Sequence, residues 1–158
     1  MTTAALASSR RKADGKAKLR LWIRLLRASR LIEGIVRERL KTQFGVTLPR
    51  FDVMAALYRQ PGGMLMSEIS RFLMVSNGNV TGIVDRLVAE RLVLRSQRNG
   101  DRRTSFIKLT DKGLAKFKEM ASAHEGWIEE LLVGVSIKDA NNVSAKLKSF
   151  QSNWEGGL

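Results

Sequence analysis

The chain of 158 residues contains no cysteine, so neither a disulfide framework nor a thiolate-based sensor can be built from it. Its single histidine, His124, cannot make a usual zinc site without cysteine partners, and no metal or cofactor is expected. The spacings that catalysis needs are missing as well: there is no nucleophile elbow, phosphate-binding glycine loop, metal cluster or paired-carboxylate motif. An enzyme is therefore not expected. No apolar run approaches the ~18 residues of a membrane span. The early basic cluster Arg10-Arg11-Lys12 leads into charged sequence rather than the apolar core of an export signal. The expectation is a cytoplasmic protein with no membrane partner.

Negative charge is scarce too. Lys and Arg number 28 against 15 Asp and Glu, a net charge of +13. The excess is uneven: residues 1–118 hold 25 basic and 9 acidic side chains, whereas residues 119–158 hold 3 and 6. Only the first part favours a polyanion. Nucleic acid suits it better than a membrane surface, because the basic residues are not confined to the polar side of one amphipathic helix. With 44% hydrophobic residues, the length suits one domain with a real core.

Residues 66–110 carry the most specific pattern. Ser67 to Leu73 reads as a short helix, with Ser67 as its cap and Ile69, Phe72 and Leu73 facing inward. After Met74-Val75, a second helix begins at Ser76-Asn77-Gly78-Asn79, capped by Ser76, and runs to about Arg91. At 3.6 residues per turn, Val80, Ile83, Val84 and Leu87 share its inner face. The outer face then presents Gly78, Asn79, Gly82, Asp85, Arg86 and Ala89. The glycines cost about 1 kcal/mol each relative to alanine; on an outward face, close approach to a partner explains that cost. Asn79 has the donors and acceptors to bond adenine, and Arg86 those to bond guanine or phosphate. The alternative for Arg86 is an exposed arginine near Asp85 and Glu90.

Leu92–Arg95 and Ser105–Leu109 are strand-like and flank Gln97 to Arg103, where Asn99-Gly100 is a strong turn signal. The result is a hairpin tipped with Arg98, Arg102 and Arg103. An extended arginine there can enter the narrow minor groove while a neighbour neutralises a phosphate, and Asp101 can restrain one guanidinium beforehand. Two short helices followed by a basic wing describe a helix-turn-helix for duplex DNA.

Three segments, Val80 to Leu87, Gly100-Asp101-Arg102-Arg103, and Ile107 to Gly113, resemble the recognition helix, wing and following helix start of MarR-family winged-helix regulators. The order of elements from about residue 18 to residue 154 is similar as well. The resemblance implies that Arg102 is the minor-groove arginine, Arg103 its phosphate-contacting neighbour, and Ser76, Asn77, Asn79 and Thr81 the recognition-helix residues nearest DNA. Gly82 departs from the basic residue many relatives carry after the Val-Thr pair, so that contact is expected to be absent.

Around this lobe, residues 1–17 read as a flexible basic tail and residues 18–158 as a single domain. The fold expected is mainly α with a small β-hairpin wing. Leu21, Trp22, Leu25, Leu26, Ile32, Ile35, Val36, Leu40 and Phe44 recur at helical spacing and end near Gly45. Pro49 suits the first turn of the next helix, with Phe51, Met54, Leu57 and Tyr58 inward, and Met64-Leu65-Met66 suits a strand pairing with the wing. Beyond Thr110, Leu114, Phe117, Ala121, His124, Ile128 and Leu131 form a stripe with Trp127 beside it. Ser136 and Asp139 then cap a last helix bearing Ala140, Val143, Leu147, Phe150 and Trp154.

Helices over 18–46 and 112–158, flanking a lobe over 47–111, most economically bury such stripes against a second copy. A homodimer on double-stranded DNA with an inverted-repeat operator is the expectation. The family resemblance implies a repressor released by a small effector, an aromatic anion or acyl-CoA-type ligand. The lining candidates are Trp22, Arg30, Arg50, Phe51, Tyr58, His124 and Trp127; core or dimer packing competes for the aromatic ones and for His124. An architectural or competitor DNA binder with no effector is the alternative. On this reading Arg102→Ala weakens operator binding at least tenfold and leaves the dimer intact, measured by fluorescence anisotropy and sedimentation; unchanged binding refutes the role of Arg102.

Overall fold

In the computed structural model, which describes residues 3–98 and 101–155 and the side chains of residues 14–96 and 106–151, helices dominate. Their order is α1 (Thr3–Phe44), α2 (Leu48–Arg59), β1 (Met64–Leu65), α3 (Met66–Leu73), α4 (Asn77–Ala89), β2 (Val93–Arg98), β3 (Asp101–Leu109), α5 (Asp111–Leu131) and α6 (Ile137–Glu155). The strands form one antiparallel sheet in the order β1-β3-β2, so the class is the expected one. The sequence pattern predicts one unit over 18–158. Packing gathers the chain into two compact units, Met1–Ala121 and Ser122–Leu158.

Helix α1 starts at Thr3 rather than near Lys18, so the stretch read as a flexible tail has a helical backbone. Ala4, Ala5, Leu6, Ala7, Arg10, Arg11 and Lys12 are strong helix formers, and extending an existing helix avoids the cost of nucleation. The absence of an apolar stripe did not prevent it. The helix stops at Gly45, whose φ is 64°. There the Val46 N–H donates to the Leu40 carbonyl at 3.3 Å and the Gly45 N–H to Lys41 at 3.1 Å, closing the last turn.

Within the first unit, Leu40, Val46, Val53, Met54, Leu57, Ile69, Val80, Val84, Leu87, Leu92, Ile107 and Met120 are fully buried. Full burial of such side chains is worth about 1.5–3 kcal/mol each. This burial holds α2, α3, α4 and the hairpin root around the end of α1. Two residues expected inside sit at the edge. Tyr58 is 45% exposed and lays its ring 4.9 Å from Phe117, keeping its phenol in water. Phe72 is also half out, because Ile69 takes the core position of this eight-residue helix and the Arg59 guanidinium sits 5.6 Å from the Phe72 ring centre. Nor is Ser67 the cap: α3 begins at Met66, and the Glu68 carboxylate accepts from the Leu65 N–H at 2.8 Å.

Register pairs Met64 with Ile107 and Val93 with Leu109. The hairpin is longer than its apolar pattern suggested, since β2 reaches Arg98 and β3 starts at Asp101. Its root is locked by Thr110. The Thr110 hydroxyl donates to the Arg91 carbonyl at 2.7 Å and accepts from the Gly113 N–H at 2.9 Å, while the Thr110 N–H donates to Leu92 at 3.1 Å. A Cβ at Gly113 would lie 1.8 Å from the Leu92 carbonyl oxygen. No residue but glycine fits.

In the second unit the Ser136 hydroxyl accepts from the Asp139 N–H at 3.1 Å, forming the expected cap of α6. Trp127 is buried, whereas Val143, Leu147 and Phe150 are exposed. The side chain of Trp154 lies outside the described residues.

On α2, loss of hydration and, second, the negative charge of Glu33 push the half-buried Asp52 carboxyl up to about 6. The unfolded chain titrates near the ordinary ~3.9. Between these values the folded state holds a proton that the unfolded state has lost, so stability falls as pH rises through that window. Asp52→Asn should therefore melt higher than the parent at pH 7, with the difference shrinking towards pH 4; a pH-independent difference refutes the assignment.

Candidate nucleic-acid interface

Helix α4 is oriented by its apolar face. Val80, Val84 and Leu87 are fully buried and Ile83 is half-buried, which turns Gly78, Asn79, Gly82, Asp85, Arg86 and Ala89 to solvent as the periodicity predicts. Ser76 caps the helix, its hydroxyl accepting from the Asn79 N–H at 3.4 Å. The Thr81 hydroxyl donates to the Asn77 carbonyl at 2.9 Å, which leaves it only as an acceptor towards an outside partner.

The outward glycines answer to nothing inside the protein. A Cβ built on Gly78 or Gly82 meets no atom within 4 Å. Alanine would fit at both positions and would stabilise the helix by about 1 kcal/mol each. No contact among the described residues requires their smallness.

Charge on this face is arranged by long-range pairs. Arg95 of β2 pairs with Asp85, fastening the hairpin to α4, and Arg50 of α2 pairs with Glu90. Both acids that the sequence placed beside Arg86 are thus engaged by arginines from other elements. Arg86 itself is exposed and meets no carboxylate among the described residues. The Asp85–Arg95 pair is solvent-exposed and worth no more than ~1 kcal/mol, so it orients the hairpin more than it stabilises it.

The backbones of Arg98, Asp101, Arg102 and Arg103 belong to the turn ends of β2 and β3, and their side chains lie outside the described residues. Ser76, Asn77, Asn79, Thr81 and Arg86 are all exposed and share α4 and its cap. The structure brings these five together.

Of the seven ligand-lining candidates, five lie in the first unit and two, His124 and Trp127, in the second. Trp22 and Arg30 are exposed on α1. Phe51 is buried with its ring 5.5 Å from Phe117. Arg50 lines a groove beside α4. His124 and Trp127 stand edge to face at 6.4 Å in the second unit, and burial lowers the His124 pKa. Tyr58 alone of the seven lines the cavity of about 520 Å³ between α2 and the start of α5, with Pro61, Thr110, Asp111, Leu114 and Lys118. Lys118 was missed, although it follows Leu114 by one helical turn and so shares its face.

A family model described as "MarR family" matches residues 46–105. The repressor MdtR of Bacillus subtilis is 31% identical over 106 residues, 65% of this chain and 68% of its own. The transcriptional activatory protein BadR of Rhodopseudomonas palustris is 27% identical over 148 residues, covering 90% of this chain and 84% of its own. The crystal structure of a MarR family transcriptional regulator from Silicibacter pomeroyi is 35% identical, with a TM-score of 0.73 over 89% of this chain and 97% of that one.

Asp85→Asn should loosen the hairpin without unfolding the lobe: a drop of up to about fivefold in DNA affinity, matching ~1 kcal/mol, with little change in melting temperature. Restoration by the swapped pair Asp85→Arg with Arg95→Asp supports the tie. An unaltered affinity in Asp85→Asn shows that the pair does not position the hairpin.

Proposed function

The chain belongs to the MarR family of DNA-binding transcriptional regulators, and from that premise we propose that it acts as a dimer on an inverted-repeat operator and is released by a small anionic ligand. The observation that carries the reading is the outward face of α4. Two glycines there have no packing reason, Asn79 and Arg86 stand between them in solvent, and a hairpin is tied alongside by Asp85–Arg95. A slim helix bearing an amide and a guanidinium suits the major groove, and a hairpin ending in arginines suits the flanking minor groove.

Exposed apolar side chains support the dimer. Leu21, Trp22 and Ile23 on α1 and Val143, Leu147 and Phe150 on α6 are open to solvent, and a twofold partner removes such surfaces from water. Two copies of α4 then address half-sites about 34 Å apart. Repression follows where the operator overlaps a promoter, and the name of the 31% identical relative supports that direction.

For the ligand, the cavity at Tyr58 has the size of small-molecule sites, roughly 300–1,000 Å³. Tyr58 offers an aromatic face and Lys118 a cation, so an aromatic carboxylate suits it. Such a ligand releases DNA only if it binds the released state more tightly than the DNA-bound one.

The test compares the palindrome upstream of the protein's own reading frame with unrelated duplex. Specific binding should exceed non-specific by about 10³-fold or more, and Asn79→Ala should lower that ratio more than it lowers affinity for unrelated DNA. Benzoate-like acids, with their CoA thioesters as a second arm, should release the operator from the parent but not from Lys118→Ala. Equal affinity for both duplexes refutes the regulator in favour of an architectural binder.

A further inference from the structure

A groove of about 490 Å³ opens on the outward side of α4, where that helix faces the first turn of α2. Thr47 and Arg50 line it from the α2 side, and Gly78, Asn79, Gly82 and Arg86 from α4. It therefore shares four residues with the face that docks on DNA.

Three features of the groove point to an anion. Arg50 is held largely covered, with 11% of its side chain exposed; one terminal nitrogen pairs with Glu90, and its Nε–H has no partner. A buried donor left unsatisfied costs about 1–3 kcal/mol, an expense that an arriving acceptor removes. Arg86 brings a second guanidinium that meets no carboxylate among the described residues. The Thr47 hydroxyl makes no capping bond to α2, so a third donor stands at the rim. Neither Gly78 nor Gly82 puts a side chain in the way. Glu90 is the one acid paired here, and the guanidinium fork has five N–H donors, enough to keep Glu90 on one edge while another edge meets a new acceptor.

We propose that this groove is a phosphate notch: it seats one phosphate of the DNA backbone per protomer, with Arg50 as the principal ligand and Arg86 as the second. The proposal rests on the docking of α4 described above and adds α2 to the DNA-contacting elements. Glu90 pairs with one edge of the Arg50 guanidinium and has no part in holding the phosphate. The notch also accounts for the outward glycines, because a phosphate must pass between α2 and α4 to reach a guanidinium set so deep.

The experiment is a salt titration of operator binding by the full chain, with thermal melting of each variant as the folding control. Each phosphate that is no longer neutralised by the protein reduces the slope of log K against log salt by about 0.9. Arg50→Ala should, per protomer, lower the slope by that amount and weaken binding about tenfold, the size of one charge-assisted hydrogen bond. Gly82→Lys in the Arg50→Ala background should recover the slope by supplying a cation from the opposite wall. Glu90→Gln should leave the slope intact. In a duplex carrying single uncharged methylphosphonate linkages, one linkage per half-site should weaken the parent and leave Arg50→Ala unaffected.

An unchanged slope in Arg50→Ala, while Asn79→Ala still reduces discrimination, overturns the notch and leaves the docking of α4 standing. If Glu90→Gln reproduces the weakening seen in Arg50→Ala, Arg50 serves only its ion pair and the notch falls. If neither Asn79→Ala nor Arg50→Ala alters binding, the docking itself falls and the notch with it.

Discussion

Thr110 and Gly113 hold the root of the hairpin and the end of α4 to the start of α5 through one short stretch of backbone. The hydroxyl of Thr110 bridges the Arg91 carbonyl and the Gly113 N–H, and Gly113 lies so close to Leu92 that any side chain would overlap it. Lys112 adds a bond from its ammonium to the Glu90 carbonyl at 3.1 Å. These contacts satisfy carbonyls that the end of α4 would otherwise leave bare. They also fix the direction in which β2 departs, and with it the position of the hairpin relative to α4. Without that junction the apolar face of α4 would still be buried, but α4 and the hairpin would share a looser frame, joined by the exposed Asp85–Arg95 pair.

On that frame, charge is distributed by tertiary pairing rather than by sequence neighbours. Asp85 and Glu90 flank Arg86 along the chain, yet Arg95 and Arg50 come from β2 and α2 to take them. Arg86 is thereby left without a carboxylate partner among the described residues. Exposed pairs of this kind contribute little to stability; their effect is to decide which cations face outward and which are held.

Much of this was legible in the sequence because it is local. The buried stripe of α4, the Ser76 and Ser136 caps and the β1 strand each follow from periodicity or from a capping residue a few positions away. The outward set of Asn79, Gly82 and Arg86 followed directly from the inward one. What lies against Trp22, Phe51 and Trp127 was not legible, since helical spacing says that a helix has an apolar side but not what covers it. The Arg50–Glu90 pair spans 40 residues, and no pattern along the chain announces it. Tyr58 and Phe72 misled because an aromatic on an inner-facing arc counts as core in a periodicity argument, whereas an amphipathic phenol and a cation-covered ring tolerate the rim. The early start of α1 was missed for the opposite reason: helix propensity without an apolar stripe leaves little trace in hydrophobic spacing.

The segment from α3 to β2 contains two non-glycine residues in the left-handed region, Met74 with φ 54° before α4 and Arg91 with φ 59° after it. Backbone bonds close both corners, from the Val75 N–H to Ser70 at 3.1 Å and from the Leu92 N–H to Leu87 at 2.9 Å. Main-chain bonds, together with the Ser76 cap, therefore draw the borders of α4, and its outward letters Gly78 and Gly82 meet nothing inside the protein. Duplicated copies of such a gene are free to diverge at those letters and acquire new target sites while the surrounding lobe stays as it was.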